Sequence, residues 1–324
     1  MTLKTVGISI GMLVLLGIIC VAGMPMLSSD SCTPDDFLPD DRSDLTGGMK
    51  STSAANLTYT VSTVFSSTPE TVVLYRVVHP EITAGLISSI AERIGLKGAI
   101  RESSDQILLS DDHYSLEIHM KSGRVALIDV PRWMNPNAKD LPENLPSDGE
   151  AVQIATRYLE ETGLLPSDAI FCEVNRPQII EYTENGKVVG VAFEEVQVSY
   201  CRTIDGRPVI GSKLTVEIGG GGDILNVYKL WRDYAPEKEI TIVTPQEAFE
   251  ELKAAGMAAD TEGQTVVITG IELGYYEAPA MDNPVYLVPV YIFTGEVRDG
   301  AEETTFVRYI PASPDLKEEI PVVK

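Results

Sequence analysis

The stretch FEEVQVSYCRTIDGRPVIGSKLTVEIGGGGDILNVYKLW, residues 193–231, decides how the chain is read. It consists of strand-forming runs rich in Val, Ile, Tyr and Thr, broken by tight turns. Asp205-Gly206-Arg207-Pro208 turns the chain into a strand over Val209–Ile218. Gly219-Gly220-Gly221-Gly222 turns it again into Asp223–Arg232. Just upstream, Ala169–Tyr182 and Val188–Arg202 flank Asn185-Gly186, a strong short-range hairpin signal. Consecutive strands joined this way run antiparallel.

Working outward, the strands are bracketed by two helices with matching starts. Ser147-Asp148-Gly149-Glu150 and Thr244-Pro245-Gln246-Glu247 both fit the capping box, in which hydroxyl and carboxylate satisfy the exposed N–H groups of a first turn. Pro245 falls at the first helical position, where its missing N–H does no harm. Ala151, Ile154, Ala155, Tyr158 and Leu159 form one apolar stripe, and Ala248, Phe249, Leu252 and Ala255 the other. Gly163 and Gly256 suit left-handed C-caps. An earlier helix, about Ile82–Leu96, carries Ile82, Leu86, Ile90 and Ile94 at the same spacing but lacks that cap.

The strands repeat as well. Leu116-Glu117-Ile118, a turn and a run ending at Trp133 parallel Val216-Glu217-Ile218, the glycine turn and a run ending at Trp231. The tryptophans read as core or sheet-face residues, with ligand stacking as the alternative. Thr265–Glu277, Tyr286–Gly295 and Thr304–Ile310 supply the last strands. The expected fold is α+β: tandem units of one helix on an antiparallel sheet, over residues 56–135, 136–236 and 237–312, with a tail at 313–324.

The N-terminus sets an address. Val6 to Leu27 carries no charge and follows only Lys4, long enough to cross a hydrocarbon core of about 30 Å as a helix. Residues 1–27 are expected to be a transmembrane helix of the signal-anchor kind, with the C-terminal ectodomain outside the cell membrane. A cleaved secretory signal ending near Val21-Ala22-Gly23 is the other reading, and gives a secreted protein. Residues 28–55, rich in Ser, Asp, Pro and Gly, read as a disordered acidic tether. Asn56-Leu57-Thr58 is a glycosylation sequon.

The exported part has about 295 residues, enough for two or three small domains. A net charge of −23 argues against nucleic acid or an anionic membrane surface as partner, since both would be repelled. Of four cysteines, only Cys172 and Cys201 fall in segments that read as folded. The Asn185-Gly186 turn puts Cys172 opposite Ser199, so a disulfide with Cys201 needs one bulge, with Pro177 or Gly190 as candidates. Two separate buried thiols is the alternative.

No catalytic constellation emerges. Gly219–Gly222 has strand-like sequence on both sides and no following helix, so it is a hairpin turn rather than a phosphate loop. The histidines are His79, His113 and His119. On one strand the last two stand about 20 Å apart, too far to share a zinc ion. No His-Glu-x-x-His run occurs, and the one Gly-x-Ser-x-Gly run, Gly7-Ile8-Ser9-Ile10-Gly11, lies within the uncharged N-terminal segment. The reading is of a protein without catalytic residues, metal or cofactors.

The 193–231 stretch resembles a PepSY-type module in its Asp-Gly-x-Pro-Val-x-Gly turn, glycine turn and closing strand, and the Ser/Thr-x-x-Glu-Ala helices fit that pattern. Tandem units behind one anchor resemble the YycH/YycI-type extracytoplasmic regulators, which restrain a membrane sensor kinase. Gly274–Gly295 is similar to their terminal repeat. The resemblance covers residues 145–312 and implies a non-enzymatic protein that binds or modulates another membrane or exported protein. It carries no catalytic residue. Candidate partner contacts are Asp205, Gly206, Arg207, Pro208 and Gly211 in the turn, with Tyr275 and Tyr276 as exposed aromatics; ordinary turn and sheet packing is the plainer role for all of them. Related modules in protease propeptides give the second reading, an inhibitor or folding chaperone of an exported peptidase. An unrecognised exported hydrolase is the third.

Overall fold

The computed structural model of the chain describes residues 57–134, 142–177, 182–184, 187–190, 195–256, 264–300 and 302–319. Residues 1–56 lie outside these, so the expected membrane helix, the tether and Asn56 do too. So do Asn185-Gly186 and the end of the 313–324 tail. Among the described residues, no helix is long and apolar enough to cross a membrane.

Two large sheets dominate. The first contains β3 (Ala99–Glu102), β4 (Gln106–Ser110), β5 (Tyr114–His119), β6 (Val125–Asp129), β7 (Ile170–Asn175), β10 (Val196–Cys201), β13 (Lys213–Ile218) and β14 (Ile224–Leu230). Their spatial order is β3-β4-β5-β6-β14-β13-β10-β7. Leu116 pairs with Leu127 and Glu117 with Ala126; correspondingly, Val216 pairs with Val227 and Glu217 with Asn226. At the seam Leu127 stands opposite Val227. The two sequence-similar meanders therefore meet edge to edge, related by an approximate two-fold, and make one sheet.

Helices α1 (Ala84–Ile94) and α3 (Asp148–Thr162) cover one face of that sheet. The short helix α2 (Val130–Met134) follows β6. Ile87 and Ile90 of α1, Ala155 and Leu159 of α3, Leu116, Leu127, Val198, Leu214 and Val227 belong to a single apolar cluster. Helix α1 turns by one residue from its expected stripe, burying Ile87 and Ile90 and leaving Leu86 exposed. Its N-cap is Thr83, whose side chain accepts from the Leu86 N–H. Both meanders share one core, so neither is a closed unit.

The second sheet gathers distant segments. It contains β1 (Thr58–Val61), β2 (Thr71–Val78), β11 (Thr203–Ile204), β12 (Arg207–Ile210), β15 (Asp233–Thr241), β16 (Thr265–Tyr276), β17 (Tyr286–Asp299) and β18 (Glu302–Pro311). Its main path is β11-β12-β16-β17-β2-β15, with β1 beside β16 and β18 beside β17. β1 and β12 both run parallel to β16. Helix α4 (Pro245–Ala255) buries Ala248 and Leu252 with Val266, Ile268, Tyr291 and Phe293. A small hairpin, β8 (Tyr182–Glu184) with β9 (Lys187–Gly190), completes the strands.

This architecture corrects the expected string of helix-on-sheet units. The chain is mostly β, built as two eight-stranded sheets with few helices. The stretch 237–312 forms no unit of its own, because its strands pair with β1, β2 and β12 from elsewhere in the chain. Local turn and cap chemistry specifies which strands are neighbours in sequence. It carries no information on pairing across two hundred residues.

Candidate functional site

The chain crosses between the sheets repeatedly, and three crossings converge. After β10 it leaves the first sheet at Arg202, adds the β11–β12 hairpin to the second, and returns through Gly211 and Ser212 to β13. After β14 it crosses again through Trp231 and Arg232 into β15. Glu277, just past the end of β16, meets two of these crossings. The Ser212 hydroxyl donates to Glu277 Oε2. The Arg232 N–H and Nη1 each donate to Glu277 Oε1 at 3.2 Å. At Gly211, with φ of 98°, an added Cβ would lie 2.2 Å from the Glu277 carbonyl oxygen, a contact that excludes any side chain.

Arg232 is bonded on its far side as well, with only Nε left buried and without a hydrogen-bond partner among the described residues. Nη1 donates to the Ala278 carbonyl at 2.6 Å, and Nη2 to the carbonyls of Pro279 at 2.8 Å and Asp282 at 3.2 Å. Arg202 ties in the third crossing. Its Nη1 donates to the Arg232 carbonyl at 2.7 Å, while Nε and Nη2 donate to Asp168 Oδ2 at 2.9 and 2.5 Å. The guanidinium also lies over the rings of Trp231 (4.8 Å) and Tyr234 (5.2 Å). Trp231 Nε1 donates to Asp168 Oδ1 at 2.9 Å. Burial pushes up the Asp168 carboxyl, but the bonds from Arg202 and Trp231 and the Arg202 charge outweigh it and hold it below its ordinary value. Burial, and then the Glu277 charge, push the Tyr234 phenol well up. The cluster bonds the crossings to one another, and forms a joint between the sheets.

The expected contact turn is mounted on this joint. Asp205 (φ 52°) and Gly206 (φ 72°) are the two central residues of the β11–β12 hairpin, both left-handed, a backbone that Asp and Gly tolerate. Val209 and Ile210 then pair with Tyr275 and Tyr276. The turn is held from below: the Tyr75 hydroxyl donates to Asp205 Oδ2 at 2.6 Å, and the Tyr75 ring meets Tyr275 edge-on at 5.6 Å. Tyr275 in turn donates to the Val73 carbonyl at 2.8 Å. Its phenol is pushed up to about 12, mainly by burial, with Arg207 pulling down and Asp205 pushing up.

The structure therefore brings Asp205, Gly206, Arg207, Pro208, Gly211, Tyr275 and Tyr276 together, but in two classes. Asp205, Gly206 and Gly211 are exposed, and Arg207 and Pro208 half-buried. Tyr275 and Tyr276 are buried, contrary to the expected exposure, because β16 is flanked by β12 and β17 where they lie. They support the turn rather than display themselves. Arg202, Arg232 and Glu277 escaped sequence reading altogether: Arg232 and Glu277 are 45 residues apart with no local motif.

Cys172 and Cys201 form a disulfide between β7 and β10. Ser199 pairs with Glu173 and Tyr200 with Phe171, so Cys172 is itself the extra residue of the bulge, rather than Pro177 or Gly190. His119 is buried against the Ser122 hydroxyl (Nδ1 to Oγ 2.9 Å), and His113 and His79 are exposed. No cluster among the described residues has the donors for a metal ion. A cleft of about 230 Å³ is lined by Ser66, Thr68, Glu272 and Tyr291. There the Tyr291 hydroxyl already donates to the Val243 carbonyl at 2.7 Å and bonds Thr68 at 3.0 Å.

No family model matches the chain, and no curated protein matches it. A solved structure of an uncharacterized protein from Eubacterium rectale is similar at a TM-score of 0.46 and 11% identity, over 80% of this chain and 88% of that one.

Proposed function

We propose that this is a non-enzymatic extracytoplasmic protein, held to the cell membrane by its N-terminal segment, that binds or modulates another membrane or exported protein. One observation carries the reading: the Asp205-Gly206 tip is exposed yet fixed, with Tyr75, Tyr275 and the Arg232–Glu277 joint behind it. A rigid, solvent-facing turn with its own buried scaffold loses little freedom when a partner docks. The net charge of −23 favours a partner with a basic surface.

The test is crosslinking in native membranes, comparing the full chain with one lacking residues 1–28. Capture of a defined protein by the full chain alone supports a tethered regulator. An exported peptidase slowed by the free ectodomain supports the inhibitor or chaperone reading instead. Capture by neither form contradicts both.

A further inference from the structure

We infer that the edge of β16 between β1 and β12 is a slot for a three-residue extended segment of a partner protein, with lysine or arginine at its centre and small apolar residues on either side. The inference rests on the partner-binding reading above and gives it a second surface and a sequence preference.

On one side β16 pairs with β17 along most of its length. On the other it has two short partners, both parallel to it and lying end to end: β1 covers Thr265–Ile268 and β12 covers Tyr275 and Tyr276. Between them, among the described residues, no strand pairs with Gly270–Gly274 on this side. No hydrogen bond outside the ladders reaches Ile271 or Leu273. The direction of their backbone groups follows from a neighbour. The Glu277 N–H donates to the Ile210 carbonyl at 2.7 Å on this side, and every second residue of a strand turns its N–H and C=O the same way. Ile271 and Leu273 therefore aim theirs into the gap. The β12 ladder cannot extend to the Leu273 carbonyl, because the residue due to donate there is Pro208, which has no N–H. Pro208 also stops that end of the slot: its carbonyl oxygen would lie 2.8 Å from a Cβ added at Gly274.

The gap coincides with the cleft of about 230 Å³, which Ile271, Glu272 and Leu273 all line. Ile271 and Leu273 pack on the core beneath α4, and Glu272 belongs to the opposite face. What the three share is the backbone edge. The segment leaving β1 supplies the facing wall through Ser66 and Thr68. A chain laid parallel to β16, with its middle residue opposite Glu272, makes two main-chain bonds. Its N–H donates to the Ile271 carbonyl, and its carbonyl accepts from the Leu273 N–H. Three residues span the opening, about 10 Å at 3.3 Å per residue.

The register fixes the occupant's chemistry. The middle side chain falls beside Glu272 on the same face. Glu272 is exposed, with no ion pair or hydrogen bond of its side chain among the described residues, so an opposite charge across from it is favoured. The net charge of −23 acts in the same direction. The two flanking side chains turn toward Tyr291 and Pro245. There the Tyr291 hydroxyl is already bonded to Val243 and Thr68, so small apolar groups suit the space.

The test follows amide exchange in the full chain, in detergent micelles, with capped Val-Lys-Val. The controls are capped Val-Glu-Val and a Val-Lys-Val methylated on the lysine backbone nitrogen, which cannot donate to Ile271. Saturating Val-Lys-Val is expected to slow exchange at Leu273 by roughly tenfold, with residues 99–102 of β3 unaffected and neither control effective. Glu272→Lys, a change at an exposed position, reverses the preference, so that Val-Glu-Val protects and Val-Lys-Val does not. The inference is overturned if Leu273 is not slowed, if the methylated peptide protects equally, if the preference does not reverse, or if residues 99–102 are protected to the same degree. Slow exchange at Leu273 in the free chain that rises on dilution makes a second copy the occupant. Slow exchange that rises when residues 320–324 are removed makes it the chain's own tail. Either result overturns the inference. The two readings fail separately: a partner captured in native membranes while no tripeptide docks sinks the slot alone, and a docking tripeptide without any captured partner sinks the binding reading alone.

Discussion

Arg232 and Glu277 form an ion pair at 3.2 Å with side chains 1% and 0% exposed, at the place where the chain steps from one sheet to the other. A pair so deeply buried is justified only if every remaining donor and lone pair finds a partner. Here the carbonyls of Ala278, Pro279 and Asp282 and the Ser212 hydroxyl supply most of them.

Arg232→Met leaves the Glu277 carboxylate buried without its cation and is expected to destabilise by about 3–5 kcal/mol. Combining it with Glu277→Leu is expected to recover part of that loss. Urea unfolding of the two single variants and the double measures the coupling directly. A near-additive cycle would mean the pair does not act as one joint.

Gly211 and Gly206 lie in one turn, yet alanine should separate them. At Gly206 nothing lies within 4 Å of an added Cβ, so the cost is the left-handed backbone alone, about 1 kcal/mol. At Gly211 the same methyl collides with the Glu277 carbonyl, and strain plus overpacking should cost about 3 kcal/mol. Thermal unfolding of both variants reads the difference.

How much of this was legible in the sequence divides by range. The capping boxes at Ser147 and Thr244, the left-handed C-cap at Gly163 and the Asp205-Gly206 hairpin are local, and they form where expected; Gly256 ends its helix but, with ψ of −177°, not as the expected left-handed cap. The sheets are not local. Nothing near Val266 or Tyr275 in sequence announces parallel pairing with Tyr59 and Val209, and those pairings are what merge the expected units. The Asp205-Gly206 turn was legible, whereas its support was not: Tyr275 and Tyr276 read equally well as exposed aromatics until the flanking strands are known.

Glu217 gives a pH signature. Burial pushes its carboxyl up from an ordinary 4.5, against bonds from Asn226 and Gln197 and the Lys213 charge, which pull down. A raised carboxyl contributes stability that is fully present below 4.5 and is lost as pH rises through the raised value. Glu217→Gln should therefore match the parent near pH 4 and exceed it near pH 7. Urea midpoints across that range check the sign; a parent that gains on the variant as pH rises would contradict it.

The disulfide closes a span of 29 residues between Cys172 and Cys201. Replacing both with serine should cost about 3 kcal/mol of unfolding free energy. Exchange at 170–175 should rise more than elsewhere in the sheet, because β7 then loses its covalent tie to β10. Denaturation with and without a reducing agent provides the parallel measurement on the parent chain.

The most direct test of the binding account is a photo-crosslinking residue at position 206 of the full chain, irradiated in native membranes. The account predicts capture of one membrane or exported protein with a basic surface, abolished when Asp205 and Arg207 are both changed to alanine. A tip that captures nothing, while the rest of the fold stays intact, would contradict it.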